Sequence, residues 1–174
     1  MSPGQAAFTI GHSTRSVQDF ISLLLSHHIE LVVDVRTVPR SRRNPQFNRE
    51  SLPQSLQEAA ISYEHIAGLG GFRRPNRHSA NAGWRNASFR GYADYMQTAA
   101  FGAAIETLVE RAQRQRLAVM CAEAVPWRCH RSLIADALVT RGIRVEEIIS
   151  ATRTQQHSIT SFARVEGITI TYPG

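Results

Sequence analysis

Lysine is missing from this sequence: all 20 basic residues are arginine, set against 14 acids for a formal charge of +6. An ammonium point charge is therefore excluded from any anion grip, which falls to the planar, bidentate guanidinium. Cysteine is scarce. Two residues are too few for a disulfide scaffold in a chain of 174, and a reducing cytosol would leave both as thiols. No stretch approaches the roughly 20 apolar residues that span a bilayer, and the segment after Met1 has neither a basic n-region nor a long apolar run. A cytoplasmic location without a membrane partner is the expectation. Internal repeats and compositional breaks are also absent, so at 43% hydrophobic residues one domain is expected over residues 1–174.

The charge is concentrated. Between Arg36 and Arg90 stand 10 arginines against Glu50, Glu58 and Glu64, a local net of +7, whereas the rest has 10 arginines against 11 acids, net −1. The middle third carries the whole excess and predicts an anionic partner, foremost a small molecule. Nucleic acid is the alternative, because these arginines alternate with Phe47, Phe72, Trp84 and Phe89, a mixture suited to phosphate contact and base stacking.

Read in order, residues 1–6 look like a loose leader, and Phe8 to Ile10 a short strand entering a turn at Gly11, His12 and Ser13. Ser16 with Asp19 resembles a capping box for a helix whose apolar face holds Val17, Phe20, Ile21 and Leu24. Leu31 to Val35 is the continuous β-branched run of a strand buried on both faces. Residues 39–49 read as a basic loop, and a helix begins at about Ser51 with Pro53 in its first turn. Ser62 to Ile66 is the next strand, and residues 72–90 show no clear element. Helical spacing resumes at Gly91 to Met96 and from about Phe101 to Arg116. Leu117 to Met120 is strand-like, and Leu133, Ile134, Ala137 and Leu138 define a helix that Gly142 stops. Arg144 to Ile149 is another strand, residues 151–157 a polar connection, and Ile168 to Tyr172 a final strand. The alternation predicts an α/β three-layer sandwich with a mostly parallel sheet.

In such a sheet ligands bind outside the carboxyl ends of the strands. The residues just past each predicted strand are unusual for their polarity: His12 and Ser13, then Asp34 and Arg36, then His65 with Gly70 and Gly71, then Cys121 with Glu123. All of these groups fall on one edge, which argues for a single site. Cys121 ends a strand, and Cys129, His130 and Arg131 lie beside a helix start, where unpaired N–H groups favour an anion and a thiolate. Cys121 or Cys129 is the expected nucleophile, Cys129 having the more positive setting, with Glu123, His12 or His130 to move protons. Arg36 and Arg131 would hold the anion. Cys121, Cys129 and His130 with His12 or His65 include enough zinc-type ligands, but the Cys-x7-Cys-His spacing matches no usual zinc module. Neither a metal nor a cofactor is expected.

Thr-Ile-Gly-His-Ser at 9–13, Val-Asp-Val-Arg at 33–36 with Pro39 and Ser41 after it, Leu-Gly-Gly at 69–71, Gly-Tyr-Ala-Asp-Tyr-Met at 91–96, and Met-Cys-Ala-Glu at 120–123 with Cys-His-Arg at 129–131 together resemble the bacterial family known as domain of unknown function 488. The resemblance covers about residues 8–150 and leaves 151–174 as a C-terminal extension. It implies a small cytosolic α/β protein, adds Ser41 to the ligand-binding candidates, and brings no settled reaction. Asp34-Val-Arg36 also resembles the strand end of rhodanese domains. Cysteine-dependent phosphatases likewise place a thiolate after a parallel strand, although the six residues between Cys121 and Arg128 are one more than their signature has.

Overall fold

Short β-branched strands alternating with amphipathic helices place a mostly parallel sheet between two helical layers. The computed structural model describes residues 6–174. Its elements are β1 (Ala6–Gly11), α1 (Val17–Ser26), β2 (Leu31–Asp34), α2 (Leu52–Glu58), β3 (Ser62–His65), α3 (Ala87–Tyr95), α4 (Ala99–Arg114), β4 (Leu117–Cys121), α5 (Arg131–Thr140), β5 (Arg144–Ile148), β6 (Thr154–Gln156), β7 (Arg164–Glu166) and β8 (Thr169–Thr171). Six strands form the main sheet in the order β3-β2-β4-β1-β5-β6. All neighbours are parallel except β6, which runs antiparallel to β5.

The two-residue period of a strand sends alternate side chains into two cores. Phe8, Ile10, Val32, Ala118 and Met120 pack with Phe20 and Leu24 of α1 and Leu52 and Leu56 of α2. Ala7, Leu31, Val33, Leu117, Val119 and Cys121 face Tyr92 of α3, Ile105 and Leu108 of α4 and Leu133 and Ile134 of α5. The same alternation assigns the site groups. Cys121 continues the Leu117 and Val119 face, toward α5, whereas Asp34 continues the Val32 face.

Local chemistry explains most boundaries. Ser16 caps α1, its hydroxyl accepting from the Asp19 amide at 3.1 Å, as the sequence predicts. Gly142 ends α5 in the left-handed region at φ +83, a conformation that glycine adopts without penalty. Several boundaries depart from expectation. Residues 1–5 of the expected leader lie outside the described residues, and Ala6 already belongs to β1. Helix α3 begins inside the stretch expected to lack structure, because Asn86 caps it by accepting from the Ser88 and Phe89 amides. The expected polar connection at 151–157 contains β6. Ile168 to Tyr172 supplies β8, which pairs with β7 in a separate hairpin rather than with the main sheet.

The C-terminal extension is fastened to the domain through Asp136 on α5. This fully buried carboxylate accepts from the Tyr172 hydroxyl at 2.8 Å, the Thr160 hydroxyl at 2.7 Å and the Thr160 amide at 3.1 Å, and pairs with His157 at 2.7 Å. Buried charge needs such partners. Burial and the Asp136 charge push the Tyr172 phenol well above its ordinary pKa.

Candidate active site

The carboxyl ends of β3, β2, β4 and β1 stand side by side, so their loops meet. Gly11 at the end of β1 is where they meet most closely: a Cβ there would lie 1.5 Å from the Glu123 carbonyl oxygen, so no other residue allows this approach. The chain after β1 stays with β4, the His12 amide donating to the Cys121 carbonyl at 2.9 Å and the Ser13 amide to that of Ala122 at 3.0 Å.

Two polar clusters result. In the first, Arg36 is buried and its Nε and Nη2 donate to Asp34 at 2.9 and 2.7 Å. Nη2 also reaches the Phe47 carbonyl at 2.7 Å. Tyr63 donates to Asp34 at 2.5 Å, and the His65 Nε2 meets the Arg36 carbonyl at 2.7 Å. His12 stacks on Phe47 with centroids 4.3 Å apart. Its Nδ1 lies 2.8 Å from the Ser13 carbonyl and its Nε2 3.4 Å from Arg36 Nη1. The carbonyl requires a proton on Nδ1, which leaves Nε2 as the acceptor from Arg36. Burial lowers the pKa of His12, the Ser13 carbonyl opposes it, and the Arg36 charge lowers it further. This cluster orients Arg36.

The second cluster centres on sulfur. Arg131 is fully buried at the start of α5, and its Nη1 lies 2.6 Å from Cys121 Sγ. The guanidinium is fixed by the Glu123 carbonyl at 2.6 Å, the Ala124 carbonyl at 3.2 Å and the Glu147 carboxylate at 2.6 Å. Glu147 in turn accepts from the Thr9 hydroxyl. Burial alone would push the Cys121 thiol up. A hydrogen bond from Cys129, the Arg131 charge and a hydrogen bond with the Glu123 backbone outweigh it and hold the pKa below the ordinary thiol value. Cys129 behaves oppositely: its hydrogen bond to Cys121, then burial and the Cys121 charge, push its thiol far up. Of the two thiols, Cys121 is thus the one whose ionisation its surroundings favour: Cys129 donates to it, and the Arg131 side chain reaches back past its own helix start to the strand end.

His130 closes the cluster. Its Nε2 lies 2.8 Å from the Val35 carbonyl and its Nδ1 3.6 Å from Cys129 Sγ. The carbonyl accepts from Nε2–H, which leaves Nδ1 unprotonated beside Cys129, whose one proton is directed at Cys121. Burial lowers its pKa, with the Val35 carbonyl opposing and the Arg131 charge adding to the effect. Gly71 lies against this ring, where a Cβ would come 3.2 Å from Nδ1.

A cavity of about 350 Å³ opens above the sulfur atoms. Of the residues singled out in the sequence, Arg36, Gly71, Cys121, Glu123, Cys129 and His130 line it. Arg131 stands behind Cys121, and His12, Asp34 and His65 stand behind Arg36. Ser13, Ser41 and Gly70 do not line it; Ser41 instead organises its own loop, its amide donating to Asn48 and its hydroxyl accepting from Asn44. Phe72 and Phe89, named in the sequence as stacking aromatics, line the cavity too, whereas sequence reasoning missed Arg40, Tyr92 and Arg128 as cavity residues and Glu147 as the partner of Arg131. Glu147 left little signal in the sequence: it is one of three charges in the five residues of β5, and only burial sets it apart. Among the described residues no three His, Cys, Asp or Glu side chains gather to hold a metal ion, and no helix is long and apolar enough to cross a membrane.

Comparison with curated proteins and with solved structures finds no match. One family model does match, over residues 16–138, a span that holds Asp34, Arg36, both cysteines and Arg131 but neither His12 nor Glu147. That span exceeds half of the chain, and the protein belongs to the family described as Domain of unknown function DUF488.

Proposed function

We propose that the cavity is the active site of a thiolate-dependent hydrolase or transferase acting on an anionic, phosphate- or nucleotide-like small molecule. The observation that carries this reading is Arg131 Nη1 at 2.6 Å from Cys121 Sγ on the wall of a cavity that Arg36, Arg40 and Arg128 also line. A thiolate with a fixed cation beside it is a ready nucleophile, and the other three arginines supply a counter-charge for the substrate.

In this reading Cys121 Sγ bonds to the electrophilic centre as the bond to the leaving group breaks. The leaving group takes the proton of Cys129. That thiol resists ionisation while Cys121 is charged, and it becomes a better acid once the Cys121 charge is spent on the new bond. Water or a second acceptor then attacks the Cys121 adduct, regenerates the thiolate and returns one proton to Cys129. His130 Nδ1 lies beside Cys129 and positions it. Arg131 keeps Cys121 charged between turnovers, and Glu147 holds Arg131 in place. Reduced thiols are required throughout, which a cytoplasmic setting supplies.

The test is turnover and intact-protein mass spectrometry with a panel of nucleotides and phosphate esters. A covalent adduct on Cys121 that clears with time, and loss of turnover in Cys121→Ser with the fold intact, are the expected results. Turnover that persists in Cys121→Ser overturns the reading.

A further inference from the structure

Phe72 stands at the cavity mouth with 88% of its surface exposed. Its backbone lies in the left-handed region at φ +56, which a bulky side chain rarely adopts. The strained backbone presents an aromatic ring to solvent. Single exposed hydrophobics are ordinary, but this one sits on a left-handed backbone at the rim of the cavity above Cys121.

Phe72 also lines a second cavity of about 270 Å³ with Arg74 and Tyr95, so its ring is a ridge between two recesses. On the far side Arg73 lies over the Tyr95 ring at 3.7 Å. Arg40 and Arg128 on the first cavity and Arg74 on the second are exposed on either side of this ridge. The acids nearby are few. Glu50 lies 3.7 Å from Arg40, Glu123 lines the first cavity, and Asp94 in the second is occupied by Asn76, Ser79 and Asn81. The other sequence candidates for stacking are spent internally: Phe47 is buried against His12 and Phe20, and Trp84 packs against Phe89, Phe162 and Tyr172.

We infer that this rim binds single-stranded nucleic acid, with one nucleotide in the cavity above Cys121, its neighbour across Phe72, and the backbone on the surrounding arginines. The inference rests on the proposed thiolate site and names its substrate class: a nucleotide carried in a polymer. Exposed rings accept the face of any base and arginines track the phosphates, a combination that serves single strands better than duplexes, whose bases are already stacked.

The experiment is fluorescence anisotropy with labelled single-stranded DNA and RNA oligonucleotides, the matching duplexes, and phosphatidylserine-containing vesicles as a competing polyanionic surface. Single strands are expected to bind and to weaken as salt rises. The Phe72→Ala variant, altered only at an exposed position, is expected to lose about tenfold in affinity. Arg128→Gln is expected to lower the log–log salt slope by about 0.7. Absence of oligonucleotide binding, wild-type affinity in Phe72→Ala, equal affinity for duplex, or binding to vesicles alone would each overturn the inference. The assay needs no thiol chemistry, so its failure leaves the Cys121 reading standing, and an unreactive Cys121 leaves oligonucleotide binding to be judged by itself.

Discussion

Replacing Arg131 by Met tests the buried ion pair that the site is built on. Met retains much of the aliphatic stem but removes the charge, and Glu147 is then left with the Thr9 hydroxyl as partner. Both ionic side chains are almost wholly buried, at 0% and 8% exposure, so water cannot replace what is lost. Breaking such a pair costs about 3–5 kcal/mol, chiefly the penalty of an uncompensated buried charge. For a chain of 174 residues, where each kcal/mol moves the midpoint by roughly 2–4 °C, Tm should fall by about 6–20 °C. Arg131→Met/Glu147→Leu removes both charges together, and an apolar replacement of a buried pair is often close to neutral. Since Thr9 and two loop carbonyls also lose partners, the double variant should sit within about 2 kcal/mol of wild type. Urea denaturation of the two variants measures both quantities. A cost below about 1 kcal/mol for Arg131→Met, or a double variant no more stable than the single one, would refute the reasoning.

Three further perturbations test other parts of the structure. Burial keeps His12 and His130 neutral and lowers their pKa values, so the unfolded chain takes these protons first and stability should fall as pH drops below about 6.5. A lower urea midpoint at pH 5 than at pH 7.5, with a shallower decline in His130→Asn, checks this; an equal or higher midpoint at pH 5 contradicts it. Tyr172→Phe removes one donor to the buried Asp136 and should cost about 1–3 kcal/mol, whereas a loss below about 0.3 kcal/mol would detach the C-terminal segment from the stability of the domain. Phe72→Gly relieves the left-handed backbone and should add up to about 1 kcal/mol while weakening oligonucleotide binding; lower stability in that variant would show that the ring packs in solution.

The layers of the fold are readable because they rest on short-range pattern. The β-branched run at 31–35, the Ser16 cap and the Gly142 stop each carry their signal within a few residues, and each is met in the structure. Gathering His12, Arg36, Cys121 and His130 along one edge needs only the rule that parallel strands share a carboxyl end. What escapes is long-range. Arg131 meets Glu147 across 16 residues and Asp136 meets Tyr172 across 36, and no local spacing encodes either pair. The sequence leaves the two thiols open for the same reason, since proximity in sequence puts Arg131 beside Cys129 while its side chain lies against Cys121. Arg40 and Arg128 look like any other arginines in basic loops, and only folding brings them to the cavity.

The most direct test of the thiolate site is the pH dependence of alkylation at each cysteine, read by peptide mass spectrometry after short iodoacetamide pulses on the native protein. Cys121 should react with a midpoint below the ordinary thiol value of about 8.5, while Cys129 stays unmodified over the same range. Modification of Cys129 first, or a Cys121 midpoint at or above about 8.5, would contradict an Arg131-held thiolate at the end of β4.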